Sequence, residues 1–164
     1  MDRGNDMATF TSAIEDRYFE DYDVGATYEF GAAEVTEDSI VSFAREFDPQ
    51  PFHVDKDAAV DGPFGGIIAS GWHTCALMMR MYADHYLSRV ASLGGPGVDE
   101  LRWPAPVRPG DRLTVRATVE KARPSRSRPG RGLVHTRVEV LNQGREVVMS
   151  AVVINFLRRR NAAG

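Results

Sequence analysis

The sequence predicts an α+β protein in which a curved antiparallel sheet wraps around one long helix. A stretch of helical character that is apolar on most faces, residues 71–87, occupies the middle of the chain. Segments in which apolar and polar residues alternate follow it, and this pattern is typical of half-buried strands. Because an apolar helix must be covered, a strongly curved sheet around it satisfies both observations. A plain two-layer α+β sandwich is the alternative.

The first half of the chain predicts one strand and one helix before the long helix. Residues 26–35 form the predicted strand, and the sequence TEDSIVSFAREF that follows has apolar residues at helical spacing. Thr36 is the expected N-cap of this helix. Pro49 disfavours helical geometry at Asp48, so the helix is expected to end there. A further short turn of helix is expected from Asp55.

The second half predicts three or four antiparallel strands. The sequences DRLTVRATVEKA and GLVHTRVEVL both alternate, and residues 142–144 read as a turn, so the next strand is expected to pair back as a hairpin. That last strand, up to residue 157, is apolar on both faces, which predicts a strand that is covered on both sides.

The composition restricts the classes of function. The length of 164 residues favours one domain, and we expect a loose leader over residues 1–17 and a single domain over residues 18–160. The net charge of −3 argues against a nucleic-acid partner. The single cysteine, Cys75, gives no disulfide framework and fits a cytoplasmic location. No apolar run is long enough for a bilayer, so no membrane partner is expected.

The loop after the first helix, FDPQPFHVDKDAA, carries the residues best suited to chemistry. Asp48 and His53 are separated by a segment that Pro49 and Pro51 stiffen, and a carboxylate and an imidazole held in this way can act on one water molecule. Gln50 can hydrogen-bond either group or a ligand. The spacing alone favours a simpler interpretation, in which Asp48 caps the helix end and His53 is a core histidine.

The start of the long helix is a second candidate site. Its first N–H groups carry partial positive charge, and Gly71 permits another group to approach the backbone, so this turn could bind the carbonyl oxygen of a thioester. Glycines that only permit a tight turn explain the same sequence. Ser70 is expected to be the helix N-cap rather than a nucleophile. Because His53, His73 and His85 lack the spacing of zinc ligands, no metal is expected.

Three motifs in order resemble the MaoC-like, or (R)-specific enoyl-CoA hydratase, family of hot-dog proteins. The sequence DPQPFH (residues 48–53) is similar to the family's Asp-x-Asn-Pro-x-His loop, with Gln50 in place of Asn. The sequence IIASG (residues 67–71) is similar to an apolar pair followed by His-Gly, with Ser70 in place of His. The sequence PVRPGD (residues 106–111) corresponds to the family's Pro-Val-x-Pro-Gly-Asp turn.

The resemblance implies a hydratase/dehydratase that interconverts a 2-enoyl thioester, such as enoyl-CoA, and an (R)-3-hydroxyacyl thioester. It implies that Asp48 and His53 hold the reacting water, and that Gln50, Ser70 and Gly71 bind the substrate. The Gly71 N–H would polarise the thioester carbonyl. It implies no cofactor other than the CoA of the substrate.

The resemblance also implies at least a homodimer, because hot-dog proteins often extend one sheet across two subunits, and the apolar strand over residues 147–157 is compatible with that. Two alternative functions remain. A hot-dog thioesterase would direct the water at the carbonyl carbon, and a non-catalytic subunit would bind acyl thioesters without turnover.

Overall fold

The computed structural model describes residues 7–161, and its largest element is one five-stranded antiparallel sheet. The strands lie in the order β1-β3-β4-β5-β2. Their bounds are β1 Thr27–Glu34, β2 Gly97–Arg102, β3 Arg112–Pro124, β4 Arg131–Leu141 and β5 Val147–Arg158. The helices are α1 Glu37–Phe47, α2 Pro51–Val54, α3 Lys56–Val60 and α4 Gly71–His85. The predicted α+β hot-dog arrangement is therefore confirmed.

The core lies between the sheet and α4. Alternate residues of the neighbouring interior strands β3 and β4 face inward and are buried, as their period of two predicts. These residues are Leu113, Val115, Ala117 and Val119 of β3, and Val134, Thr136, Val138 and Val140 of β4. Met78, Met81 and Tyr82 of α4 are buried in the same core, and the Tyr82 hydroxyl donates to Asn155 Oδ1 at 3.0 Å. Burial of each large apolar side chain contributes about 1.5–3 kcal/mol.

Helix α4 is less completely buried than its composition suggests. Trp72 and Met79 are exposed, although the sequence predicted an apolar surface on nearly all faces that would be covered. The sheet covers only one side of the helix, and α1 contacts part of the rest. A strip of apolar side chains is therefore left at the surface of the single chain.

The edge strand β2 was not predicted. Its sequence, GVDELR, has no apolar alternation, and five of its six residues are exposed where the strand pairs with β5 at the edge of the sheet. The hairpin of β4 and β5 was predicted and is confirmed. Because β5 pairs with both β4 and β2, both of its edges are used, and this corrects the expectation that it could extend the sheet to a second subunit. A sheet continued across subunits would have to use an edge strand, β1 or β2.

The described part of the expected leader, residues 7–17, makes specific contacts with the domain. Phe10 stacks on Tyr28 with ring centroids 4.0 Å apart. Arg17 is buried and donates to the carbonyl oxygens of His85 and Tyr86 at 3.0 and 2.8 Å. These carbonyls lie at the C-terminus of α4, where backbone acceptors lack helical partners and attract a cation. Residues 1–6 of the leader lie outside the described residues, and the boundary at residue 18 stays a prediction.

None of the helices described within residues 7–161 combines the length and the apolar character that crossing a membrane requires.

Replacement of Phe10 by Ala tests the packing of this segment. We expect the free energy of unfolding to fall by about 1–3 kcal/mol, because the variant loses apolar burial and an aromatic stack. Urea denaturation measures the difference. Met7→Ala is the control, since Met7 is 42% exposed and should change stability little. Equal stability of Phe10→Ala and the natural protein would contradict the observed packing.

Candidate active site

The end of α1 and the start of α2 place the first two site residues. The Ser39 N–H donates to Thr36 Oγ1, which confirms Thr36 as the N-cap of α1. Asp48 follows the last residue of the helix, as predicted, and its N–H donates to the Ala44 carbonyl at 2.8 Å. The segment after it was expected to be a loop, but residues 51–54 form the short helix α2. Pro51 occupies its first turn, where a missing N–H costs nothing.

His53 lies within α2 with its ring held in one orientation. The side chain is buried, and Nδ1 lies 2.7 Å from the Ile68 carbonyl oxygen. A carbonyl only accepts hydrogen bonds, so Nδ1 carries the proton and Nε2 of the neutral ring is an acceptor. Nε2 lies 3.3 Å from Asp48 Oδ2. The two residues therefore form a pair whose facing atoms can share one proton.

Asp48 accepts a hydrogen bond at each carboxylate oxygen. Gln50 Nε2 donates to Oδ1 at 2.8 Å, and Ser70 Oγ donates to Oδ2 at 2.7 Å. Partial burial would by itself raise the pKa of Asp48, but these two hydrogen bonds, together with the charge of the adjacent His53 ring whenever that ring is protonated, outweigh it and lower the pKa below the ordinary value. Asp48 is therefore an anion at neutral pH.

An extended segment before α4 joins the two halves of the site. The Ile68 N–H donates to the Phe52 carbonyl at 3.2 Å, and the Ala69 N–H donates to the Val107 carbonyl at 2.8 Å. Since the Ile68 carbonyl also accepts from His53, this segment is fixed between α2 and the loop that precedes β3.

Ser70 begins α4 and also contacts Asp48. Its Oγ accepts from the Trp72 N–H at 3.3 Å, so the predicted N-cap is confirmed. Ser70 is fully buried, whereas the family resemblance implied that it would contact the substrate. Its effect on the site passes through the hydrogen bond to Asp48. Among the described residues, the Gly71 N–H has no hydrogen-bond acceptor.

The site residues open onto a cavity of about 400 Å³, a size typical of small-molecule sites. Asp48, Gln50, His53 and Gly71 line it, so the structure brings these predicted residues together. The remaining wall is largely apolar and comes from the segment before α4, from α4 itself, from the loop before β3 and from β5. It includes Phe64, Ile68, Ala69, Trp72, Thr74, Trp103, Pro104, Ala105, Pro106, Val107 and Val148.

Sequence reasoning missed Trp103, which follows β2 and borders the cavity. The signal available in the sequence was its position just before the motif PVRPGD. The turn in this motif holds the loop in place: Gly110 has φ +88°, and its N–H donates to the Val35 carbonyl at 2.7 Å. The Asp111 carboxylate accepts from the Arg108 N–H at 2.8 Å.

His73, which was considered as a zinc ligand, is not part of the Asp48–His53 pair. His73 is buried and stacks on Phe43 at 4.8 Å, and burial lowers its pKa. Within residues 7–161, no three His, Cys, Asp or Glu side chains converge as a metal site would require.

A sequence profile of the MaoC like domain matches residues 21–142, about three quarters of the chain. The chain belongs to the MaoC-like dehydratase family. The crystal structure of a MaoC-like dehydratase from Rhodospirillum rubrum superposes with a TM-score of 0.81 and 41% sequence identity, covering 89% of this chain and 99% of that one.

Two MaoC-like relatives have names that describe an activity. The 3-hydroxybutyryl-CoA dehydratase of Methylorubrum extorquens is 34% identical over 116 residues, which cover 68% of this chain and 69% of that protein. The 3-hydroxyacyl-thioester dehydratase Z of Mycobacterium tuberculosis is 28% identical over 125 residues, which cover 75% of this chain and 83% of that protein. These similarities support a hydratase/dehydratase.

Removing the donors to Asp48 should raise its pKa, because each donor stabilises the charged form. We expect the larger increase in Ser70→Ala and a smaller one in Gln50→Leu. The carboxyl resonance of ¹³C-labelled Asp48, identified by its loss in Asp48→Asn, measures the pKa directly. Ser70→Ala should also lose about 0.5–2 kcal/mol of stability with the helix cap, whereas Gln50→Leu should not. An unchanged pKa in both variants would contradict the hydrogen-bond assignment.

Proposed function

We propose that the protein interconverts a 2-enoyl thioester, such as enoyl-CoA, and an (R)-3-hydroxyacyl thioester. The observation that carries this proposal is the Asp48–His53 pair, whose two facing acceptor atoms lie 3.3 Å apart at the wall of one cavity. The names of the two dehydratase relatives support the same reaction class.

The protonation state of the pair suits a water molecule. Ionised Asp48 can only accept hydrogen bonds, and His53 has already committed its Nδ1–H to the Ile68 carbonyl. The facing Oδ2 and Nε2 atoms are therefore both acceptors, and one water can donate a hydrogen to each. This arrangement orients the water oxygen toward a substrate in the cavity, as a general base requires.

In hydration, the water oxygen forms a bond to the β-carbon of the enoyl thioester, and the pair takes up one proton. If this proton resides on Nε2, the imidazolium lies beside the Asp48 carboxylate, which stabilises it. The same proton then passes to the α-carbon, so the atoms balance without a second acid. Because the water and the proton come from one pair, both add to the same face of the double bond. Dehydration follows the reverse path.

The electrons of the double bond move toward the thioester carbonyl when water adds. Negative charge then develops on the carbonyl oxygen, and a hydrogen-bond donor directed at that oxygen lowers the barrier. The Gly71 N–H fits this role because it lies at the positive end of α4, lines the cavity and has no acceptor among residues 7–161.

The experiment that tests the proposal measures the loss of enoyl absorbance with a panel of short and medium enoyl-CoAs. We expect turnover by the natural protein and a decrease in kcat of about 10²–10⁴-fold in Asp48→Asn and in His53→Gln, because each removes a proton acceptor. Asp57→Asn is the matched control, since Asp57 is an exposed carboxylate on α3 that does not line the cavity. Its kcat should stay close to that of the natural protein.

Binding must be separated from turnover in the same variants. Both tryptophans of the chain, Trp72 and Trp103, line the cavity, so their fluorescence should report the binding of butyryl-CoA, which has no double bond to hydrate. Unchanged turnover in Asp48→Asn would contradict the proposal. Release of free thiol from butyryl-CoA would indicate a thioesterase instead, and binding with no turnover of any enoyl-CoA would indicate a non-catalytic subunit.

A further inference from the structure

Trp103 occupies the space beside Gly71 that a side chain would fill. A Cβ atom built on Gly71 would lie 2.4 Å from Trp103 Cε2 and 2.8 Å from Nε1, distances that no residue with a side chain can accept. The indole therefore lies directly against the Gly71 Cα. The close approach that this glycine permits is made by Trp103 and not by a ligand.

The same indole also holds the Gly71 carbonyl. Trp103 Nε1 donates to the Gly71 oxygen at 3.1 Å. On the other side of Gly71, Ser70 is fixed by its hydrogen bonds to Asp48 and to the Trp72 N–H. The Gly71 N–H lies between these two fixed points, so its direction depends on both of them.

The loop that carries Trp103 is itself rigid. Pro104 and Pro106 restrict the backbone, and the Val107 carbonyl accepts from the Ala69 N–H at 2.8 Å. Trp103 is 42% exposed and borders the cavity, so the indole both touches Gly71 and forms part of the wall. An apolar wall beside a donor excludes water and strengthens the donor's hydrogen bond to a substrate.

We propose that Trp103 is a positioning residue for the reaction, which acts by holding the Gly71 N–H in the direction that polarises the thioester carbonyl. This inference rests on the proposed function of the site. A role limited to packing would affect stability and substrate binding, whereas a positioning role affects the polarisation of bound substrate and kcat.

The experiment uses a conjugated dienoyl thioester, hexadienoyl-CoA, whose absorbance shifts to longer wavelength when its carbonyl is polarised. It is bound to Asp48→Asn, in which turnover is slow. We expect a red shift in Asp48→Asn and its loss in Asp48→Asn/Trp103→Leu when the probe is saturating. The single substitution Trp103→Leu, with Asp48 intact, should lower kcat by about 10²-fold, because a misplaced catalytic group costs about that factor in rate. The change in KM should be much smaller.

Two further variants make the result specific. Trp103→Phe keeps an aromatic ring against Gly71 but loses the indole N–H, so the red shift and kcat should be intermediate. If Trp103→Leu does not fold, the proposal is tested with Trp103→Phe instead. Met79→Ala is the matched control, because Met79 is exposed to the same fraction as Trp103, 42%, and does not line the cavity, so the bound probe should keep its red shift.

The outcomes separate the inference from the proposed function. A natural protein that hydrates no enoyl-CoA contradicts the proposed function. The role of Trp103 alone is overturned if the natural protein hydrates enoyl-CoA and the probe keeps its full red shift in Asp48→Asn/Trp103→Leu and in Asp48→Asn/Trp103→Phe. No red shift in Asp48→Asn itself overturns the role of the Gly71 N–H, and the role of Trp103 with it.

Discussion

The hydroxyl of Ser70 connects the fold of this protein to its site. The oxygen accepts the Trp72 N–H at the start of α4, and its proton goes to Asp48 Oδ2. Asp48 is in turn fixed at the end of α1 through its own N–H. The hydroxyl that caps the central helix therefore also orients the carboxylate, so the position of α4 on the sheet determines where the Asp48–His53 pair lies.

The hydrogen-bonding groups around Asp48 and His53 determine the charge of the carboxylate and the tautomer of the imidazole. Burial favours a neutral Asp48, but the hydrogen bonds from Ser70 and Gln50 favour the anion and lower its pKa. A backbone carbonyl, that of Ile68, selects the tautomer of His53. In the proposed reaction, groups held in this way would not have to reorganise when charge develops. Ile68 and Ser70 belong to the extended segment that hydrogen bonds fix between α2 and the loop before β3, so changes in the packing of this segment should alter the positions of Asp48 and His53.

The sequence predicted elements wherever local periodicity and tertiary burial agree. The inward faces of β3 and β4 alternate cleanly, and the caps at Thr36 and Ser70 have side chains suited to that role. Edge strand β2 has no apolar alternation because most of its side chains are exposed, so its sequence did not predict a strand. The exposure of Trp72 depends on which faces the sheet covers, which local sequence does not encode.

The part of the site that could be predicted consists of residues that lie close together in the chain. Asp48, Gln50 and His53 are close in the chain, and their convergence on one cavity follows from a short stiff segment. The contact of Trp103 with Gly71 joins residues 32 positions apart and required the fold. Ser70 was recognised as a cap, but its hydrogen bond to Asp48 spans 22 positions and could not be read from spacing.

In the proposed reaction, the single Asp48–His53 pair both holds the water and delivers the proton. Hydration of crotonyl-CoA in D₂O tests it most directly, because the product records where the deuterium at the α-carbon lies relative to the new hydroxyl. We expect the deuterium and the hydroxyl to lie on the same face of the former double bond. Addition to opposite faces would require a second acid across the cavity and would contradict it.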